Sequence, residues 1–233
     1  MFIVRLAELN IGIENKYEYI YNMCVDYITD NTPDFSISVS DNEIMVESNG
    51  IIQHKGYLES LAIYRKIAEK ILNYKGFLIH GVVTDVDGCG IALLAKSGIG
   101  KSTHAKLLTE LLKDRICIIN GDKPLIRIIE GKVFAFGSPW AGKENIHTNT
   151  KTELKKICFI ERAKENQCLH MEKNAVFERL INQVYIPKDK RLLCLTLEYI
   201  NELIEKCDFY LIRCNTDISA AETSYRGLGL WKV

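Results

Sequence analysis

The chain has 233 residues, 47% hydrophobic and 26% charged, so it can bury a core of its own without metals or disulfide staples. Lys plus Arg and Asp plus Glu both number 30, a balance that excludes a broad electrostatic footprint for nucleic acid, though not a local patch. No apolar run approaches the roughly 18 residues of a membrane span, and the opening Met1-Phe2-Ile3-Val4-Arg5-Leu6-Ala7-Glu8 has no secretion-signal pattern, so a cytoplasmic protein is expected.

In chain order, a mixed strand and helix region runs to about Tyr27, and Asp34-Phe35-Ser36-Ile37-Ser38-Val39 alternates with period two, as a strand does. Asn49-Gly50 is a turn signal. Leu58, Leu61, Ala62, Ile67, Ala68, Ile71 and Leu72 recur at helical spacing and predict a helix from about Tyr57 to Asn73. Phe77 to Val83 reads as one strand, joined through Asp87-Gly88-Cys89-Gly90 to a second, Ile91 to Ala95. A helix from about Ser102 to Leu112 precedes a buried strand, Ile116 to Ile119. Leu125 to Ile129 and Lys132 to Phe136 flank Glu130-Gly131 as a hairpin, and Lys156 to Glu161 is a further strand. Asn174 to Gln183 and Leu195 to Glu205 carry helical stripes, Phe209 to Arg213 is a short strand, and Ile218 to Tyr225 closes the chain as a helix. Hairpins mixed with helix-linked strands imply an α/β fold whose mixed β-sheet is flanked by helices.

The eight cysteines (Cys24, Cys89, Cys117, Cys158, Cys168, Cys194, Cys207, Cys214) show no Cys-x-x-Cys spacing. Most lie in apolar runs such as Cys117-Ile118-Ile119 and Leu193-Cys194-Leu195. Reduced, buried thiols are expected, not a disulfide scaffold or a zinc site.

The chemistry-bearing segment is Lys96-Ser97-Gly98-Ile99-Gly100-Lys101-Ser102-Thr103. A nucleoside triphosphate crowds negative charge onto a few oxygens, and holding it takes inward-pointing N–H groups and a reaching cation. Gly98 and Gly100 let the backbone curl into such a nest, with Ser97, Ile99 and Thr103 completing its rim. Lys101 supplies a mobile charge for the outer phosphates. Ser102 opens a helix whose N-terminus faces the phosphates, and its hydroxyl suits Mg²⁺. An apolar strand before the loop and an amphipathic helix after it are the required context. One departure is visible: the strict pattern begins with Gly where this chain has Ala95.

With that loop, the order His80-Gly81, Asn120-Gly121-Asp122-Lys123-Pro124, Gly137-Ser138-Pro139-Trp140-Ala141-Gly142-Lys143 and Phe159-Ile160-Glu161-Arg162 resembles HPr-kinase-like proteins. These include Firmicute proteins labelled phosphoenolpyruvate-carboxykinase-like. The resemblance spans nearly the full chain. It implies a phosphoenolpyruvate-carboxykinase-like P-loop core (residues 56–233) behind a small N-terminal α+β module (residues 1–55). It also implies ATP with Mg²⁺, and phosphoryl transfer to a Ser or Thr hydroxyl of a protein or ribosomally made peptide. Homo-oligomers occur in that family, so self-association is an expectation by resemblance alone. Ala in place of the first loop Gly is common among these look-alikes. They usually read Asn-Asp-Asp-Lys-Pro where this chain has Gly121, so one carboxylate of a pair is absent.

Asp122 is then the residue to hold Mg²⁺, to accept the proton of the attacking hydroxyl, or both; otherwise it is a turn residue before Pro124. His80 is the alternative base, or a hydrogen-bonded core histidine. Lys143 sits in a loop suited to carrying charge to a transferring phosphoryl group, or is a solvated lysine. Arg127 reads as a second phosphate ligand or as a strand-face arginine paired with an acid. Glu161 reads as a metal or acceptor ligand or as part of an edge ion pair with its neighbours. His104 is assigned to the helix surface, with a place near the base or ribose as the alternative, and the charge run Lys151 to Lys156 to a solvated face or else to attraction of an acidic peptide. A catalytically degenerate nucleotide-sensing module is the rival reading, motivated by Gly121; a small-molecule hydroxyl kinase is another.

Overall fold

The computed structural model describes residues 1–48, 50 and 52–231. The turn signal at Asn49-Gly50 rests on a position outside the described residues. The chain forms two compact units, Met1–Tyr74 and Lys75–Val233.

In the first unit, β1 (Phe2–Leu6), β2 (Leu9–Glu14) and β3 (Phe35–Ser38) form a three-stranded sheet in that order, β1–β2 antiparallel and β2–β3 parallel. Three helices complete it: α1 (Glu18–Met23), α2 (Asp41–Val46) and α3 (Lys55–Lys70). The sequence pattern missed α2, although Ser40 and Glu43 form a reciprocal capping box that was there to be read. The stripe on α3 buries Leu58, Ile63 and Ile67, and α3 packs on α1, α2 and β3. Its Glu59, fully buried, accepts the backbone N–H groups of Lys16 and Tyr17 at 2.6 and 3.1 Å. The division therefore falls after Tyr74, not at residue 55, because this helix is the core of the first unit and not the start of the second.

The second unit carries a nine-stranded mixed sheet. Its elements are β4 (Gly76–Leu78), β5 (Val82–Val86), β6 (Cys89–Leu94), α4 (Lys101–Leu112), β7 (Ile116–Asn120), β8 (Leu125–Ile129), β9 (Lys132–Phe136), β10 (Lys151–Arg162), β11 (Gln167–His170), α5 (Phe177–Ile181), α6 (Lys190–Lys206), β12 (Asp208–Cys214) and α7 (Ile218–Gly227). The main path runs β4-β8-β9-β10-β6-β5-β7, with β12 also on β10 and β11 on β12. The β10–β6 and β10–β12 pairings are parallel and the others antiparallel, which is the expected mixed sheet. One sheet face buries Val82, Ile91, Leu93, Cys158, Ile160 and Ile212 against Ala105, Leu108 and Leu112 of α4 and Ala221 and Tyr225 of α7.

Several elements differ from their sequence expectation. The strand expected over Phe77 to Val83 is two strands, broken at His80-Gly81. The apolar run is continuous, but the pairing partners change from β8 to β6 and β7. A side chain at Gly81 would meet Leu93 O at 2.9 Å and Leu94 Cδ2 at 2.3 Å, so the crossing needs glycine. β10 begins at Lys151 because the charge run alternates: Lys151 and Lys155 are exposed while Thr152 and Leu154 are buried. The helix expected over Asn174 to Gln183 is a short 3₁₀ turn followed by α5, because Val184 is drawn into a β-bridge with Ile79. α6 starts earlier than its stripe suggested, where the Asp189 side chain accepts Leu192 N–H. All eight cysteines are free, as expected, but Cys117 and Cys194 are exposed. Cys117 lies on β7, a strand at the sheet edge, and Cys194 on the outer side of α6, so an apolar neighbourhood in sequence did not mean burial. Among the described residues no helix is long and apolar enough to cross a membrane.

Candidate phosphate loop and active site

β6 ends at Leu94 and the chain turns through the glycine-rich loop into α4. Gly98 (φ +80°) and Gly100 (φ +129°) take backbone conformations that strain any other residue, and a Cβ at either would meet nothing within 4 Å. The loop is thus open on the side its glycines face. Ala95 is not among the positive-φ residues, so its position makes no conformational demand for glycine. Lys101 is buried at the first turn of α4 and donates from Nζ to the Ala95 carbonyl at 2.8 Å, lying across its own loop. Burial lowers its pKa, partly opposed by the charge of Asp122.

Three of the sequence candidates converge here. His80 Nε2 lies 3.4 Å from Lys101 Nζ and 3.2 Å from Asp122 Oδ1. One nitrogen cannot serve both neighbours at once: accepting from the ammonium requires it bare, and donating to the carboxylate requires it protonated. His80 is therefore held between two hydrogen-bonding states. Burial works against the charge of Asp122, yet the His80 hydrogen bond and the nearby Lys123, His80 and Lys101 charges outweigh it. The carboxyl stays below its ordinary pKa. Asp122 is thus ionised at neutral pH.

The backbone around Asp122 is fixed by a residue that sequence reasoning used only as part of a motif. The fully buried Asn120 accepts the N–H groups of Asp122 and Lys123 through Oδ1, at 2.9 and 2.7 Å. Its Nδ2 donates to the carbonyl and hydroxyl of Ser138, and Ser138 Oγ donates to Lys123 O. Asn at the head of a turn was the available signal. Gly81 N–H donates to Asp122 O at 2.9 Å, tying the His80 turn to the same loop. Gly142 (φ +74°) lies against the Asp122 side chain; a Cβ there would sit 2.9 Å from Asp122 Cβ. Gln183 accepts His80 N–H through its backbone oxygen at 2.7 Å, and its buried side-chain Oε1 has no hydrogen-bond partner among the described residues. Nothing in the sequence pointed to Gln183, which is brought to His80 by the bridge at Ile79 and Val184.

The other candidates fall elsewhere. Lys143 is exposed in the turn after Gly142, and its neighbour Glu144 pairs with Lys106 of α4 at 3.0 Å. Arg127 is half-buried along β8, with β9 and β10 between its strand and β6. Glu161 is engaged by Arg179 at 2.7 Å and Arg213 at 3.4 Å, which lower its pKa, an arrangement that matches the ion-pair alternative. Ser102 and Thr103 occupy the first turn of α4 as expected. His104 is not on the helix surface: it is 2% exposed, with Nε2 2.9 Å from Ser224 Oγ and Nδ1 3.7 Å from Cys214 Sγ.

Burial lowers the His104 pKa from 6.5 to about 4. The unfolded chain takes up this proton near its ordinary value and the folded chain only near the lowered one. Stability is therefore complete above about pH 6.5 and falls toward pH 4, by about 3 kcal/mol in total. Denaturant melts of the wild type between pH 7 and 4.5 should show that slope, and His104→Gln should flatten it. An equal slope in both proteins would place the acid sensitivity in other groups.

No family model matches the chain. It is similar to HPr kinase/phosphorylase from Clostridium kluyveri, 31% identical over 108 residues, taking in 39% of this chain and 34% of the relative. The chain thus spans about a third of the length of the curated relatives it matches. Among solved structures, the HPr(Ser) kinase/phosphatase from Coxiella burnetii aligns with a TM-score of 0.40 and 11% identity, over 66% of this chain and 96% of that one. Over the segment shared with the Clostridium relative, the chain is similar to HPr kinase/phosphorylase.

Proposed function

We propose that this chain is a phosphotransferase that moves the γ-phosphoryl group of ATP, with Mg²⁺, to a Ser or Thr hydroxyl of a protein or ribosomally made peptide. The observation that carries the reading is the convergence of Lys101 Nζ, His80 Nε2 and Asp122 Oδ1 beside an open glycine loop at a helix N-terminus. The residues present fit both groups. The loop faces open space at Gly98 and Gly100. The Ser102 hydroxyl, in the first turn of α4, and the Asp122 carboxylate are the hard oxygen ligands that Mg²⁺ takes one or two at a time. Among the described residues no cluster of three His, Cys, Asp or Glu could form an all-protein cage. The relatives' printed name, a kinase of HPr, supports a protein acceptor.

When bound, ATP with Mg²⁺ supplies the phosphoryl group and the counter-charge for it. The chain's own part is positioning and electrostatics. Lys101 leaves the Ala95 carbonyl for the outer phosphates. Asp122, ionised, accepts the proton of the attacking hydroxyl or orients that hydroxyl while His80 takes the proton. Lys143, exposed on the turn whose Gly142 lies against Asp122, would add charge from the acceptor side. Incubation with γ-labelled ATP and pools of proteins and peptides is the direct test. Label should appear on Ser or Thr with the wild type and not with Lys101→Met. Tight ATP binding with no labelled acceptor in any pool would overturn the reading.

Gly121 specifically favours the second reading, a nucleotide-sensing module that no longer transfers. Its N–H donates to Ile146 O, and a Cβ would lie 3.2 Å from Ile146 O and 3.3 Å from Ala141 O. An acid there fits only if the 141–146 loop yields by a few tenths of an ångström. If Gly121→Asp folds and raises ATP turnover more than about tenfold, the natural chain is catalytically degenerate; an unchanged or lower rate favours a kinase that works with one carboxylate.

A further inference from the structure

Arg162 is the last residue of β10, and its guanidinium turns back onto the glycine loop. Nε donates to the Ile99 carbonyl at 3.0 Å and Nη2 to the Gly98 carbonyl. Both acceptors belong to the outer peptides of the loop. In a trans peptide, the carbonyl of one residue and the N–H of the next point in opposite directions. Holding the Gly98 and Ile99 carbonyls toward the guanidinium therefore turns the N–H groups of Ile99 and Gly100 away from it.

A loop with glycines at φ +80° and +129° has little intrinsic resistance to peptide reorientation. Inside the loop, Ile99 N–H has only a long bond, 3.3 Å, to Lys96 O. The stiffness must come from outside. Arg162 can supply it because β10 is paired with β6 as far as Phe159 and with β12 through Arg162 itself, whose register partner is Cys214. The planar guanidinium fork reaches two carbonyls at once, which a lysine ammonium on a flexible stem does not.

We infer that Arg162 is a positioning residue that presets the phosphate loop by anchoring the Gly98 and Ile99 carbonyls, so that the Gly100 amide faces the donor phosphates before the donor arrives. The inference rests on the loop being the donor site. It assigns Arg162 no contact with the reacting phosphoryl group.

The test uses the full chain with Arg162→Ala and Arg162→Lys, and two readouts. The first is amide hydrogen exchange of the 96–103 segment without nucleotide. The second is Mg²⁺-ATP binding by calorimetry, with kcat at saturating ATP where transfer is measurable. Exchange in the loop should rise about tenfold in Arg162→Ala, and the ATP Kd about ten- to a hundredfold, the loss expected for two charge-assisted bonds. The kcat should stay within about threefold, and Arg162→Lys should fall between. Unchanged loop exchange in both variants overturns the anchor. A collapse of kcat with unchanged exchange and Kd also overturns it, in favour of direct charge on the transferring group. Faster loop exchange in a protein whose wild type binds no ATP supports the anchor and overturns the donor-site reading instead.

Discussion

Asp122→Asn should lower phosphoryl transfer by about a hundred- to ten-thousandfold, the range for loss of a positioned base. Asn keeps the size of the side chain against Gly142 and leaves the Asn120 scaffold beneath it intact, so the fold and the loop should survive. What disappears is the ionised carboxylate beside His80 Nε2. Metal-free ATP binding should change little, since Lys101 rests mainly on Ala95 O and its loop. Initial rates with γ-labelled ATP and binding isotherms, taken side by side, check this. An Asp122→Asn protein within tenfold of the wild type would move the base to His80, and His80→Asn would then carry the loss. Because Asp122 titrates below the ordinary carboxyl range, any fall in rate between pH 8 and 6 belongs to another group.

Gly137→Ala should destabilise the second unit by about 4 kcal/mol or more, enough to prevent its folding. The position has no positive φ, so alanine is conformationally allowed there. The obstacle is space: a Cβ would lie 1.9 Å from Thr148 O and 2.8 Å from Ile119 O, both backbone atoms. Gly137 N–H also donates to Thr150 O at 3.0 Å, and Thr148 N–H to Ile119 O at 3.1 Å, so three chain segments meet at one point. None can withdraw without breaking the loop that carries Ser138 and hence the support of Asp122. Gly88→Ala is the contrast: φ is +83° but a Cβ meets nothing within 4 Å, so the cost should be about 1 kcal/mol. Denaturant unfolding of both variants measures the difference, and a Gly137→Ala protein that melts near the wild type would contradict the packing argument.

The sequence made the loop legible because its chemistry is local: glycines, lysine and serine act at fixed spacing on a strand-to-helix turn. The Glu130-Gly131 hairpin was legible for the same reason, and its strands lie where the pattern placed them. What escaped depended on contacts between distant segments. Arg162 stood in a quoted motif, yet its role comes from carbonyls more than sixty residues earlier. His104 looked like a surface residue because the burying partners, Ser224 and Cys214, lie on α7 and β12. The break at His80-Gly81 was hidden inside an apolar run, since periodicity reports burial and not which strand is the neighbour. Glu161 could be read as metal ligand or ion pair until Arg179 and Arg213 were placed beside it.

β10 is paired along both edges where it approaches the glycine loop, whereas Asp122 and Lys143 are carried on the turns between β7, β8, β9 and β10. The glycine loop and Asp122 are therefore held by buried scaffolds, while Lys143 stands on an exposed tip. Lys143, Glu144 and Asn145, exposed at the tip of this turn, can change charge without disturbing the strands that frame the loop. Diversification of such a scaffold would be expected to leave its energy currency untouched while its clientele changes, with surface turns as the place where new customers are recruited.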